Sequence, residues 1–303
     1  MRLLCIFLLL SLATPALATP KVVVSIIPIY SLVSALTRGV TTPELLLNQG
    51  GSPHSASLRP SQARALAEAD LLIWVGPELE SFLTQPISRL VKPGAEMRLL
   101  PIESLKRLPQ RHGGFWEADD DEHDTGPGHS ESLFNPHIWL SPDNALQICV
   151  LVAARLTRLD PSHQAIYQKN LLALKARIQT LSNKLKQQLK PLQKEPYLVF
   201  HDAYAYFENA FGLNPIGSIR VSADRAPGAR RLQQIREKII QSKARCLFSE
   251  PQFSPATAQR LADAGHLKLG VLDPLGNRSN SSQDDWFNLM QKLADNLTSC
   301  LKK

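Results

Sequence analysis

Residues 161–190 read Pro-Ser-His-Gln-Ala-Ile-Tyr-Gln-Lys-Asn-Leu-Leu-Ala-Leu-Lys-Ala-Arg-Ile-Gln-Thr-Leu-Ser-Asn-Lys-Leu-Lys-Gln-Gln-Leu-Lys, and Ile166, Leu171, Leu174, Ile178, Leu181 and Leu185 recur in them at three- to five-residue spacing. That spacing puts the apolar side chains on one buried face of a helix. At ~1.5 Å per residue the helix would run about 45 Å, long enough to span a small protein and tie two lobes together. The helical pattern begins upstream at Asp143, and Asp160-Pro161-Ser162 is its one break. A rigid connector of this kind restricts hinge closure, whereas two ordinary helices with an exposed linker would not.

On both sides of this segment, short β-branched runs alternate with longer helical ones. The strands predicted before it are Val22 to Ile27, Glu44 to Asn48, Leu71 to Val75 and Met97 to Leu100, with helices over Pro60 to Ala69 and Glu78 to Val91. After it come predicted strands at Tyr197 to Phe200, Pro215 to Ile219, Cys246 to Ser249 and Leu267 to Leu272. The helices between and after these are Ala203 to Phe211, Arg230 to Gln241, Pro255 to Ala264 and Asp284 to Leu301. The expected fold is α/β, with two similar lobes, each a small, mostly parallel sheet flanked by helices, joined by a long connecting helix. The expected boundaries are 19–142 for the first lobe, 143–190 for the connecting region and 191–303 for the second lobe.

Residues 1–18 read as a cleavable export signal, with Arg2 as the basic start, Leu3 to Leu12 as the apolar core and Ala16-Leu17-Ala18 as the cleavage site. No later run approaches the roughly 18 to 20 apolar residues of a membrane span, so no stable membrane insertion is expected. Removal of Arg2 with the signal takes the formal net charge from +7 to +6. Eight basic side chains fall between Arg220 and Arg245 against only Asp224 and Glu237, with no aromatic residue among them. Without stacking partners this stretch does not read as a nucleic-acid surface; it suits a solvated helix face or docking on an acidic partner. Cys149 lies in an apolar helical run and reads as a buried thiol, Cys246 opens a strand and Cys300 ends the last helix. Cys246 and Cys300 are predicted to pair.

Three histidines, His54, His137 and His201, stand 83 and 64 residues apart, each in or beside a strand end or connecting loop. Ligands so widely separated cannot organise a small unit as the paired ligands of a zinc finger do; they need a preformed scaffold to converge. In open α/β sheets that place is beyond the carboxyl ends of the strands, where His54, His201 and Asp273 are expected to lie. Two ligands would come from each lobe and the ion would sit between them. Asp273 is a candidate fourth ligand, with water as the alternative and an Asx-type cap in the Asp-Pro-Leu-Gly turn as its purely structural role. Asp202 and Asn135, next to ligand histidines, are candidates for orienting an imidazole N–H. Trp139 reads as core packing.

Several segments together resemble the metal-binding solute receptors of ABC transporters, and within them the zinc-uptake receptors of the ZnuA family. They are Pro53-His54 with Ser57-Leu58-Arg59-Pro60-Ser61, Leu71-Leu72-Ile73-Trp74-Val75-Gly76, Asn135-Pro136-His137-Ile138-Trp139-Leu140-Ser141-Pro142, Phe200-His201-Asp202-Ala203-Tyr204-Ala205-Tyr206-Phe207, Phe248-Ser249-Glu250-Pro251-Gln252-Phe253 and Leu272-Asp273-Pro274-Leu275-Gly276. The resemblance runs almost end to end. It implies a monomeric periplasmic receptor that holds Zn2+ between its lobes and passes it to a membrane permease. It also implies ligand roles for His54, His137 and His201 and a disulfide between Cys246 and Cys300. Similar manganese receptors carry a carboxylate where this chain has His201, and three imidazoles suit zinc better than manganese. Zinc receptors often carry Glu directly before the first histidine, and here that residue is Pro53.

Residues 111–131 break the α/β rhythm, with His112, His123 and His129 among Asp119, Asp120, Asp121, Glu122 and Asp124. Dense charge without apolar periodicity predicts a surface loop, similar to the acidic His-containing loop of zinc receptors and suited to accessory zinc acquisition. A manganese or other divalent-metal receptor, or an adhesin of the same fold, is the alternative reading. Three histidines with an open position would also describe a hydrolase with Glu208 or Glu250 as base. No H-E-x-x-H helix or nucleophile elbow accompanies them, and the expectation is a binding protein rather than an enzyme.

Overall fold

The computed structural model describes residues 19–47, 51–111, 116, 133–220, 229–279 and 281–302. Its first sheet joins β1 (Val22–Val24), β2 (Glu44–Leu45), β3 (Leu71–Trp74) and β4 (Glu96–Arg98) in the order β2-β1-β3-β4, all parallel. The second joins β5 (Pro196–His201), β6 (Asn214–Arg220), β7 (Cys246–Ser249) and β8 (Lys268–Val271) in the order β6-β5-β7-β8, again all parallel. Both have the same topology, so this is an α/β fold of two similar lobes.

The inner strands β1, β3, β5 and β7 are apolar almost throughout, as sheets covered on both faces require, whereas the edge strands carry polar residues such as Glu44, Glu96 and Arg98. Val22 and Val24 face one core while Val23 faces another, and Leu71 and Ile73 part in the same way from Leu72 and Trp74. The outer face of the first sheet carries α2 (Pro60–Glu68) and α3 (Thr84–Leu90). In the second, Leu198, Phe200 and Leu247 meet α7 (Ala229–Gln241) and α8 (Pro255–Gly265). The inner faces share one core cluster with α1 (Ile27–Leu36), α4 (Pro142–Leu159), α5 (Gln164–Leu189), α6 (Ala205–Phe211) and α9 (Asp285–Leu301).

The connector is the 26-residue α5, about 39 Å long at ~1.5 Å per residue, with a 3-10 turn at each end. Leu171, Leu174, Ile178 and Leu185 of the apolar stripe are buried, and Ile166 and Leu181 lie half-buried at its margins. Asp160 ends α4 and its carboxylate accepts from the Tyr167 hydroxyl at 2.8 Å, so the break predicted at Asp160-Pro161-Ser162 is a joint between two helices pinned by a side-chain hydrogen bond.

The largest departures from the sequence expectation lie in the first lobe. The strand at Val22 stops at Val24, and α1, with Pro28 in its first turn, starts at Ile27. Every residue of α1 is buried, so it shows no polar face and its period cannot be seen in the sequence. The helix expected from Glu78 begins at Thr84, after a 3-10 turn at Ser81–Leu83. Glu80 is withheld from it: its carboxylate accepts from Ser25 Oγ at 2.5 Å and from the Gly76 amide at 3.0 Å, tying together the ends of β1 and β3.

Candidate metal centre

The parallel second sheet delivers His201 as the last residue of β5, at the carboxyl edge where β7 ends in Ser249 and passes to Glu250. His137 arrives from the opposite lobe on the turn Ile138–Leu140 that leads into α4, and His54 on the loop after β2. The three imidazoles converge, with His54 Nε2 3.4 Å from His137 Nε2 and His137 Nε2 3.3 Å from His201 Nε2. Among the described residues this is the one group of three or more potential metal ligands whose donor atoms all lie within 4.8 Å of one another.

Two acceptors determine what those nitrogens present. Asn135 Oδ1 lies 2.9 Å from His137 Nδ1, and Glu250 Oε1 lies 2.6 Å from His201 Nδ1. Neither oxygen can donate, so in the neutral rings each Nδ1 carries the hydrogen and each Nε2 offers a lone pair. Lone pairs facing one another at 3.3 Å repel unless a cation lies between them. A tetrahedral zinc with Zn–N bonds of ~2.0–2.1 Å would place its nitrogens about 3.3–3.4 Å apart, so the donor set fits that ion.

The surroundings favour the neutral rings of His54 and His137. Burial, reinforced by His201, pushes His54 down to about 3, and burial with both neighbouring histidines puts His137 well below the usual imidazole range. The cavity is small, about 10 Å³, and is lined by Ser52, Pro53, Gln252, Phe253 and Leu275 beside the histidines. That is near the lower limit for a single water.

The other predicted site residues divide. Asn135 orients His137, and its backbone is held by the Tyr206 hydroxyl at 2.8 Å. Among the described residues Asp202 meets no imidazole: Arg111 Nε donates to both its oxygens at 3.0 Å. A side chain next to a strand-end histidine points to the opposite side, which takes Asp202 to the stem at Arg111. Asp273 stands outside the cluster, its Oδ1 accepting from Gln252 Nε2 at 2.8 Å and from the Leu275 amide at 3.0 Å, the second being the contact of an Asx turn. Trp139 is fully buried and joins the lobes by donating to the Pro274 carbonyl at 2.8 Å. Glu250, read from sequence only as a possible base, is the partner of His201; its place one residue beyond β7, beside β5, was the available signal. Glu208 lies away from the histidines, paired with Arg111 at 2.8 Å. The disulfide joins Cys246 to Cys300, and Cys149 is a buried free thiol. Residues 1–18 and His112, His123 and His129 lie outside the described residues.

Residues 22–300 match the ZnuA family, described as "Zinc-uptake complex component A periplasmic". The high-affinity zinc uptake system protein ZnuA of Brucella suis is 39% identical over 306 residues, covering 93% of this chain and 92% of that protein. Its namesake from Yersinia pestis is 38% identical, covering 97% and 95%. Among solved structures, the periplasmic zinc-binding protein TroA of Treponema pallidum shares the fold with a TM-score of 0.77 at 20% identity, covering 94% of this chain and 100% of its own. A crystal structure of ZnuA aligns with a TM-score of 0.73 at 23% identity, covering 92% and 99%. With the family match spanning both lobes and all three converging histidines, the chain belongs to the ZnuA family of zinc-uptake receptors.

Proposed function

We propose that the protein is the periplasmic receptor of a zinc uptake system, exported by residues 1–18, which captures Zn2+ between its lobes and hands it to an ABC-transporter permease. The observation that carries this reading is the convergence of three imidazoles, with His137 Nε2 3.4 Å from that of His54 and 3.3 Å from that of His201 and the Nδ1 atoms of His137 and His201 directed away at Asn135 and Glu250, a donor set for a tetrahedral cation. His54, His137 and His201 are the assigned ligands. Asp273 is assigned the fourth place, through the oxygen that accepts from neither Gln252 nor Leu275, after its side chain turns toward the ion. His112, His123 and His129 are assigned accessory zinc capture ahead of the buried site.

The test is metal content and competitive zinc titration of the chain beginning at Thr19, with His54, His137, His201 and Asp273 changed singly to Ala, and with residues 113–130 deleted. One tightly bound zinc is expected in the parent and in the deletion, and its loss in each histidine variant. Retention of that zinc without any one histidine would overturn the ligand set. Unchanged affinity in Asp273→Ala would give the fourth place to water, and preference for manganese in the same titration would reassign the cargo.

A further inference from the structure

Arg111 belongs to the stem before residue 112, on the first lobe, but its guanidinium reaches two carboxylates of the second. Nε donates to Asp202 Oδ1 and Oδ2 at 3.0 Å each, Nη2 reaches Oδ1 as well, and Nη1 pairs with Glu208 Oε2 at 2.8 Å. The Trp116 ring covers the guanidinium plane at 3.7 Å. Glu208 is buried, and its other oxygen accepts from the Tyr197 hydroxyl at 3.0 Å. This fork ends beside two of the three histidines. Asp202 directly follows His201, and its carbonyl accepts from Asn135 Nδ2 at 2.5 Å, while Asn135 Oδ1 takes the hydrogen of His137 Nδ1 at 2.9 Å.

We propose that Arg111 is a positioning residue of the metal centre, a strut between the lobes that sets the separation of His137 and His201. The proposal rests on the zinc-binding reading above. His137 and His201 come from different lobes and are 64 residues apart, so no local backbone fixes their spacing. A planar guanidinium held by two carboxylates admits essentially one arrangement, which Lys cannot reproduce. Buried ion pairs are poor sources of net stability but good devices for fixing register, and metal sites tolerate only ~0.2 Å of error in ligand distance.

The experiment uses the chain from Thr19 with Arg111→Ala, Arg111→Lys and, as a control, Arg177→Ala, which breaks the Arg177–Asp284 pair on the connecting helix. Zinc affinity is read by chelator competition, and ligand geometry by the visible absorption of the Co2+-loaded protein. Arg111→Ala is expected to keep one-to-one stoichiometry, to bind zinc about 10- to 100-fold more weakly, as removal of outer partners of metal ligands does, and to shift the cobalt bands. Arg111→Lys, which keeps the charge and decides the matter where Arg111→Ala fails to fold, is expected to fall between parent and Ala; Arg177→Ala is expected to match the parent. Parental affinity and cobalt bands in Arg111→Lys, or lowered thermal stability alone in Arg111→Ala, would overturn the proposal. Absence of zinc binding in the parent chain would identify the failure as that of the functional reading itself.

Discussion

Two imidazoles of the site are held by partners of their own, His137 by Asn135 and His201 by Glu250, while His54 meets the other rings, and the consequences differ from ring to ring. Glu250 fixes the tautomer of His201 from a fully buried position. Glu250→Gln is expected to weaken zinc binding about 10- to 100-fold with stoichiometry kept, as chelator competition would measure; unchanged affinity would remove Glu250 from the site. His54, pushed down to about 3 by burial, makes a different prediction. Unfolded imidazole titrates near ~6.5, so between those values the unfolded chain binds the extra proton. The stability that His54 contributes in the metal-free protein is therefore complete above about pH 6.5 and is lost as pH falls toward about 3. Glu80, raised to about 7 by burial, acts in the opposite sense, favouring the fold below the ordinary carboxylate range and losing that contribution as pH rises through about 7. Urea midpoints of parent and His54→Gln, compared pH by pH without metal, isolate the imidazole: the parent should lose stability relative to the variant on acidification. A difference independent of pH would contradict the burial argument. At this scale the histidines were legible because strand-end positions are visible in sequence, and Asn135 because it lies two residues from His137. Asp202 was misleading, since adjacency in a strand sends neighbouring side chains to opposite faces.

Among the elements, β7 is the one whose expected and observed bounds coincide, Cys246–Ser249, and it is anchored at both ends of its function. Its first residue bonds to Cys300 on α9, and just past its last stands Glu250. The disulfide closes a span of 54 residues, which in the chain-entropy model stabilises the fold by about 4 kcal/mol. The double variant Cys246→Ser with Cys300→Ser is expected to lower the unfolding free energy by up to that amount while keeping one zinc per chain; loss of zinc at temperatures where the variant is folded would tie the disulfide to the site. Elements with mixed burial, such as α5 and α9, could be read from their apolar stripes. Helix α1 could not, because a helix buried on all sides resembles a buried strand in its composition. Nor could the start of α3, which depends on Glu80 reaching back to Ser25 and Gly76 across the sheet edge.

The whole molecule is organised so that neither lobe owns the site. One apolar cluster runs from β1 through α5 to α9, and Trp139 and Trp286 are linked across the lobes, Trp286 Nε1 donating to the Trp139 carbonyl at 2.9 Å. On this frame His54 and His137 come from one lobe and His201 from the other, so an ion bound to all three reports on how the lobes are set. X-ray absorption at the zinc K-edge on the one-to-one complex of the chain from Thr19 tests this most directly. A four-coordinate nitrogen and oxygen shell at ~2.0–2.1 Å with multiple scattering from three imidazoles is expected. A shell with sulfur, or with fewer than three imidazoles, would contradict it.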